Sequence, residues 1–360
     1  MLLDTLPDLY RHSSEADLRE RIAEKKRTLT SSLLILAHHY QRIEVVAVGD
    51  YVGDSYMLAR KAAETPEARH IVFCGVHFMA EAADILARPE QTVYLPNATA
   101  GCPMADMAPI DDVLLAWQEL EHLGLALETT PVSYMNSAAY LKAFCGRHGG
   151  LICTSSNAGS AFDWSFKKRP RVFFFPDQHL GRNTALAAGM SESDLVVWDN
   201  TVPGGGVTPE QLRDAKVILW KGHCHVHGRF LMEHIDQVRE QYPGVRVVVH
   251  PECTHEVVLK ADAVGSTNFI VKYVEEAPSG AAIAIGTELN LISRLAATHP
   301  DKKVVELSGQ NCPLCSNMFR TTLADVAYCL DRLGSGNIIK VPDDIKGDAV
   351  VALQRMLDLQ

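Results

Sequence analysis

Apolar residues along this chain gather in short, nearly continuous runs and seldom alternate with polar ones. Ser32-Leu33-Leu34-Ile35-Leu36-Ala37 comes first, then Ile71-Val72-Phe73-Cys74, Val172-Phe173-Phe174-Phe175, Val217-Ile218-Leu219-Trp220 and Ala281-Ala282-Ile283-Ala284-Ile285. Parallel strands read this way when helices cover both of their faces. Between the runs lie stretches of helical periodicity. Residues 14–28 form a charged amphipathic helix opened by Ser14 and Asp17 at capping-box spacing. Further helices are predicted from Asp54-Ser55 through Ala63, around Phe78 to Leu86, and from Ser137 to Phe144. Strands alternating with helices predict an α/β fold with parallel sheets.

The pattern recurs. The first copy has strands at Ser32 to Ala37, His70 to Cys74 and Thr92 to Pro96. A second has Thr130 to Asn136, Leu151 to Cys153, Val172 to Phe175 and Val217 to Trp220. The third has Val245 to Val249, Ala263 to Thr267, Ala281 to Ile285 and Val304 to Leu307. Ser55 lies 17 residues after His38, Thr267 lies 17 after His250, and Ser155 lies 21 after Tyr134, as a small insertion would produce. A period of about 100 residues is too long for a solenoid. The expectation is three αβα sandwich domains with parallel sheets related by pseudo-three-fold symmetry. Their predicted bounds are 1–112 with an N-terminal helix, 113–228, and 229–360 with C-terminal helices.

Length and composition fit that picture. The chain has 360 residues, 47% hydrophobic and 22% charged, with a formal net charge of −10. Such a length suits two or three domains. An acidic chain without a basic stripe argues against a nucleic-acid partner. No window approaches 18 uninterrupted apolar residues, so no membrane span is expected. Met1 to Arg21 carries acids and lacks a long apolar core, so it does not read as a signal peptide. The expected location is the cytoplasm.

Nine cysteines in a cytosolic chain do not suggest a disulfide framework. Cys74 and Cys153 lie in strand runs, and Cys145 and Cys329 in helical patterns, so all four read as small apolar residues. Cys102, Cys224, Cys253, Cys312 and Cys315 fall in loops or turns. Cys224 stands in Lys221-Gly222-His223-Cys224-His225-Val226-His227, directly after the strand Val217 to Trp220. Cys102 and Cys315 also follow strand runs, at the carboxyl edge where open α/β sheets bind ligands. One such cysteine per repeat suits a shared site, and three readings stay open: an iron–sulfur cluster with one open iron, zinc, or structural thiols. Cys312-Pro313-Leu314-Cys315 alone could be half a zinc site or a redox pair, and no second CxxC exists.

Other polar residues also cluster at strand ends. His38, Tyr40, Tyr134, Asn136, His250 and Glu252 combine groups that exchange protons with groups that polarise a carbonyl. Ser55, Ser155 and Thr267 stand near helix starts, where a hydroxyl either cradles a carboxylate or phosphate or simply caps the helix. There is no GxGxxG after a strand and no GxxxxGK[ST], so neither a dinucleotide site nor a P-loop is expected. Pro203-Gly204-Gly205-Gly206 reads as a flexible connection. Two rival functions remain. One is a redox sensor, which would need an output module such as a basic helix-turn-helix. The other is a zinc hydrolase using His223, Cys224, His225 or His227.

An ordered set of motifs narrows the choice. It runs Leu36-Ala37-His38-His39-Tyr40-Gln41, Gly53-Asp54-Ser55, Phe73-Cys74-Gly75-Val76-His77-Phe78-Met79-Ala80-Glu81, Cys102-Pro103-Met104-Ala105-Asp106, Tyr134-Met135-Asn136 and Cys153-Thr154-Ser155-Ser156-Asn157-Ala158. Then come Gly222-His223-Cys224-His225-Val226-His227, His250-Pro251-Glu252-Cys253, Gly265-Ser266-Thr267, Gly286-Thr287-Glu288 and Cys315-Ser316-Asn317-Met318. In this set the chain resembles the quinolinate synthases, the A proteins of bacterial NAD biosynthesis, from about residue 30 to residue 330. The resemblance implies a 4Fe-4S cluster on Cys102, Cys224 and Cys315, whose open iron acts as a Lewis acid. It implies condensation of iminoaspartate with dihydroxyacetone phosphate to quinolinate, phosphate and water, with an aspartate-oxidising enzyme as a transient supplier. It makes His38, Tyr40, Tyr134, His250 and Glu252 the catalytic set. Substrate contacts would come from His38, Ser55, Tyr134, Asn136, Ser155, His250, Glu252 and Thr267. Three features depart from the pattern: Pro103 where serine is frequent, Phe319-Arg320 where lysine is common, and Cys312, a thiol able to compete with Cys315 or pair with it. The context Cys315-x-x-Met318 followed by Thr321-Thr322-Leu323 favours Cys315 as the ligand.

Overall fold

The structure, a computed structural model, describes residues 6–359. The first five residues of the Met1 to Arg21 stretch, and the outer ends of the predicted first and third domains, lie outside the described residues. The chain is α/β, with three mostly parallel sheets flanked by helices. The first sheet takes β1 (Leu33–His38), β2 (Tyr51–Gly53), β3 (His70–Cys74) and β4 (Thr92–Tyr94). The second takes β5 (Thr129–Tyr134), β6 (Leu151–Cys153), β7 (Arg171–Phe175), β8 (Leu195–Trp198) and β9 (Val217–Trp220). The third takes β10 (Arg246–Val249), β11 (Ala263–Val264), β12 (Ala282–Gly286) and β13 (Lys303–Glu306). A last strand, β14 (Ile338–Ile339), pairs antiparallel with β4. All residues of β1, β5 and β7 are buried, as two-sided cover by helices requires.

The strand orders are β14-β4-β3-β1-β2, β6-β5-β7-β9-β8 and β11-β10-β12-β13. Each sheet therefore contains one motif. Its first strand lies between the second and the third, and a later strand (β4, β9 or β13) lies beyond the third. β8 and β14 are additions at edges. The switch point, where an open α/β sheet opens a crevice at its carboxyl end, falls beside β1, β5 and β10.

Register explains the sequence spacings. His38 pairs with Gly53 and Tyr134 with Cys153, while Val249 pairs with Val264, which sets His250 beside Gly265 one step further on. Ser55, Ser155 and Thr267 each follow two residues past the paired position. The longer middle spacing comes from its first crossover helix, Ala139–Arg147, of 9 residues against 4 in Ile43–Val46 and 6 in His255–Lys260.

Three strands escaped the sequence reading. β2 and β14 are very short, and β8 is an edge strand paired only with β9. The predicted flexible connection Pro203 to Gly206 is instead a defined turn. Gly204, Gly205 and Gly206 all take left-handed φ, at 63°, 70° and 68°. The Gly205 N–H donates to Val202 O at 3.0 Å and its carbonyl accepts from the Asp199 N–H at 2.9 Å. A Cβ on Gly205 would lie 2.2 Å from the Trp198 ring, so the close approach admits only glycine.

Two compact units emerge. One comprises the chain up to Cys102 with Leu314–Pro342; the other comprises Pro103–Pro313 and the segment from Asp343 onward. In the first, helices Glu15–Leu29 and Leu323–Asp331 cover the first sheet, through Ile22, Val326 and Leu330 against Ile35 and Val72. The Ser14–Asp17 capping box opens the first of these helices as predicted. The second unit holds the other two sheets. Here the closing helix Asp343–Leu357 packs on Ala139–Arg147 and β6. The segment expected as a third repeat thus builds its own sheet through Glu306, and its last part returns to the other two sheets. Among the described residues no helix is long and apolar enough to cross a membrane.

Gly146 is where the closing helix comes nearest, since a Cβ there would lie 1.9 Å from Asp348 O. Alanine normally favours a helix over glycine by about 1 kcal/mol. Here overpacking should win, and Gly146→Ala should lose about 1–3 kcal/mol in urea denaturation. Gly159→Ala, with nothing within 4 Å of the new Cβ, should be neutral or stabilising. Equal midpoints for the two variants would contradict this packing.

Candidate active site

The second unit gathers polar side chains at the carboxyl ends of its strands around one carboxylate. Glu252, just past β10, is 2% exposed. Its Oε1 accepts from the Tyr134 hydroxyl at 2.6 Å and its Oε2 from His227 Nδ1 at 2.7 Å. Since a carboxylate only accepts, His227 carries a proton on Nδ1. His227 Nε2 lies 3.0 Å from Thr287 Oγ1, the hydroxyl just past β12. The His250 ring stacks on His227, with centroids 4.3 Å apart and planes at 19°. His250 Nδ1 accepts from the Glu252 N–H at 3.3 Å, which leaves the proton of a neutral ring on Nε2, 3.2 Å from Ser155 Oγ.

Burial keeps His250 neutral. It pushes His250 down to about 3, helped by His227 and opposed by Glu252, so the ring is neutral at neutral pH. For Glu252 burial acts upward, but the imidazoles of His227 and His250 and the hydrogen bonds from His227 and Tyr134 outweigh it and hold the carboxyl below its usual range. Asp177, just past β7, behaves in the opposite way. Burial, then the Glu252 charge, raise it well above the ordinary carboxylate value. Its Oδ1 caps a helix through the N–H groups of His179 and Leu180, and these bonds, with that from the Cys224 N–H, work against the rise.

The remaining predicted residues fall as follows. In the second unit Asn136 is half-buried, and its Oδ1 is buried without a hydrogen-bond partner. Thr267 is buried at the first turn of helix Thr267–Glu276. In the first unit His38 ends β1 and Tyr40 lies two residues beyond, both buried, their rings edge-to-face at 4.8 Å. Ser55 is half-buried at the start of Ser55–Ala63. None of the three repeated hydroxyls is the helix cap. Asp54 caps for Ser55 and Ser266 for Thr267, and Asn157 holds the cap position after Ser155. The plain capping role is therefore filled by a neighbour at Ser55 and Thr267, while Asn157 occupies the cap position without a side-chain cap bond. Tyr134, Ser155, His250 and Glu252 are brought into one hydrogen-bonded group. His227, Thr287 and Asp177 belong to that group or adjoin it; sequence reasoning offered His227 only as a candidate zinc ligand and gave Thr287 and Asp177 no role of their own. The usable signal was positional, since Asp177 and Thr287 follow the third strands just as the chosen residues follow the first.

No disulfide forms among the nine cysteines, all of which lie in the described residues. Cys74, Cys145, Cys153, Cys253 and Cys329 are buried, and burial raises each thiol pKa. Cys102, Cys224 and Cys315 are half-buried in loops after β4, β9 and β13, the corresponding strand of each sheet. Cys312 differs from Cys315. Burial, then the Glu306 and Glu288 charges, push its thiol up to about 12, and the S–H donates to Thr287 O at 3.8 Å. Donor atoms of Cys224, His227 and Glu252 all lie within 4.8 Å of one another, a spacing a single metal ion could use. Both ring nitrogens of His227 are already engaged, by Glu252 and Thr287, so that ion would have to break the group apart. Cys102, Cys224 and Cys315, each half-buried in a loop, are thiols of the kind that ligate iron–sulfur clusters.

The chain is similar along almost its whole length to proteins of one known family. The family model described as Quinolinate synthetase A protein matches residues 20–358. A quinolinate synthase of Nocardioides sp. is 53% identical over 357 residues, covering 96% of this chain and 90% of that protein. One from Acidobacterium capsulatum is 53% identical over 359 residues, covering 98% and 96%. One from Corynebacterium glutamicum is 50% identical over 357 residues, covering 98% and 90%.

The buried neutral imidazole has a consequence for stability. The His250 pKa drops from 6.5 to about 3 on folding, so its contribution is complete above pH 6.5 and is lost as pH falls toward 3. The slope reaches at most about 1.4 kcal/mol per pH unit. Between pH 6.5 and 4.5 the melting temperature should fall more steeply for the native chain than for His250→Asn. Parallel curves would mean that His250 charges freely in the folded state.

Proposed function

Because the chain belongs to the Quinolinate synthetase A protein family, we propose that it is a quinolinate synthase of NAD biosynthesis. It condenses iminoaspartate with dihydroxyacetone phosphate to give quinolinate, phosphate and water, in the cytoplasm, on iminoaspartate delivered by an aspartate-oxidising enzyme. Cys102, Cys224 and Cys315 hold a 4Fe-4S cluster. The observation that carries this reading is the recurrence of a half-buried cysteine after β4, β9 and β13, while five others are sealed in the core and Cys312, half-buried too, has its thiol pushed up to about 12 by burial and two carboxylates. When bound, the cluster supplies a Lewis-acidic iron at the position that no cysteine fills.

The protein's own groups divide the remaining work. Asn136, Ser155, Thr267 and the Nε2–H of His250 bind a carboxylate-bearing substrate in the second unit, and Ser55 and His38 bind in the first. Tyr134 donates its hydroxyl proton to Glu252, and a phenolic oxygen keeps acceptor capacity for a substrate proton. A substrate proton taken at that oxygen is matched by passage of the phenolic proton to Glu252 Oε1, with His227 steadying the carboxylate from the other side. Tyr40 and His38 form a second buried acid–base pair for the later tautomerisations. His250, held neutral, acts as a donor and adds no charge beside the carboxylate.

Anaerobic reconstitution with iron and sulfide tests the assignment. The native chain and Cys312→Ala should bind about four irons per chain and form quinolinate, while Cys224→Ala and Cys315→Ala should do neither. One zinc per chain and no iron would favour the single-metal arrangement instead. A cluster with no quinolinate formed would sink the proposed reaction and leave the ligand assignment standing.

A further inference from the structure

We propose that Lys142 and Asn183 are positioning residues, each clamping the two backbone carbonyls that flank a site residue, Asn136 and Glu252 respectively. The inference rests on the functional reading above and assigns work to two buried side chains that it leaves unused.

The turns after the first strands are closed differently. After β1 the Tyr40 N–H donates to His38 Nδ1 at 3.1 Å and the Gln41 N–H to His38 O at 3.0 Å. After β10 the Glu252 N–H donates to His250 Nδ1 and the Cys253 N–H to His250 O at 3.0 Å. The corresponding position after β5 is Tyr134, whose hydroxyl is committed to Glu252 and cannot hold its own turn. There the Ser137 N–H donates to Met135 O at 2.8 Å, closing a tighter turn around Asn136.

Lys142, on the helix Ala139–Arg147, holds that tighter turn. It is 0% exposed, and its Nζ donates to Met135 O at 3.1 Å and also to Ser137 O, the carbonyls on either side of Asn136. A fully buried lysine is rare because its amino group demands several acceptors in place of water. Asn183, on the helix Gln178–Ala187, repeats the arrangement at the other turn. Its Nδ2 donates to Pro251 O at 2.9 Å and to Cys253 O at 2.8 Å, on either side of Glu252. The amide is oriented by His255 Nδ1, 2.9 Å from Asn183 Oδ1. Two unrelated side chains on two helices thus grip the same pair of carbonyls around corresponding residues. Covering a turn with apolar side chains would need neither nitrogen. What the clamp adds is a fixed Cα for a side chain that must meet a ligand, and the unpartnered Asn136 Oδ1 shows such a side chain held ready.

The test is a set of double-variant cycles on the reconstituted enzyme, reading kcat/KM for quinolinate formation alongside melting temperature and iron content. Lys142→Met and Asn136→Ala should each lower kcat/KM by about tenfold, the scale of one lost hydrogen bond of good geometry. Their combination should cost no more than the larger single loss. Lys142→Met with Asn183→Leu, acting on different residues, should multiply. A role confined to the core predicts lower melting temperatures with kcat/KM within about twofold of native, or multiplied losses in the Lys142–Asn136 pair. Either result overturns the proposal. If Lys142→Met does not fold, Lys142→Gln keeps a donor and carries the same cycle; failure of both to fold also overturns it. A native chain that forms no quinolinate would instead defeat the functional reading on which the proposal stands.

Discussion

The second unit is organised by the need to satisfy one buried carboxylate. Glu252 has almost no access to water, and a charged carboxylate taken out of water costs several kcal/mol (about 3–5) when a partner is missing. Its two oxygens are met from two directions, by a phenol at the end of β5 and an imidazole from the loop after β9. That imidazole is in turn tied to the hydroxyl after β12. Four strand ends from two sheets are therefore fixed relative to one another by one ionised group. Neutral His250 stacked on His227 completes the packing without adding a second charge. Replacing the group with apolar side chains would satisfy packing equally well, so its retention points to chemistry more than to stability.

The common strand order gives this arrangement a simple origin. Each sheet places its first strand between the second and third, so a residue ending the first strand is bordered by the loops of both neighbours. His38, Tyr134 and His250 occupy that position, and Tyr40, Asn136 and Glu252 follow two residues later. The same backbone slot thus carries an imidazole or a phenol, then a phenol, an amide or a carboxylate. Repetition supplies the geometry and substitution supplies different chemistry at each copy. It also forces local solutions, because a turn that loses its histidine needs another way to hold its carbonyls.

Much of this was legible in the sequence, for physical reasons. Buried parallel strands must be almost wholly apolar, so runs such as Phe173-Phe174-Phe175 announced themselves, and polar residues at their ends marked the carboxyl edge. The 17-residue spacings were legible because register is rigid: a hydroxyl two residues past a paired position keeps its place whatever the crossover does. What stayed hidden depended on tertiary contact. Edge strands β2, β8 and β14 bury too little to show a pattern. The helix Asp343–Leu357 reads as a generic amphipathic helix, and only the close approach at Gly146 ties it to the second sheet. His227 looked like one of several histidines near a cysteine; its importance lies in Glu252, 25 residues away in sequence.

The nine cysteines divide into buried thiols and half-buried ones. A thiol in the core cannot ionise without leaving a charge unsolvated, so burial is the main cause that raises Cys74, Cys145, Cys153, Cys253 and Cys329 and keeps them protonated. Cys312 poses the harder case, being half-buried and only three residues from Cys315. Burial raises it first, and two carboxylates, Glu306 and Glu288, add to the effect. Glu288 is itself fully buried and fixed as a cap by the N–H groups of Asn290 and Leu291, so its position near Cys312 is set by the helix it starts. The thiol consequently stays protonated and donates to a backbone carbonyl. A residue that sequence alone offers as a competing ligand is thus kept neutral by its own surroundings.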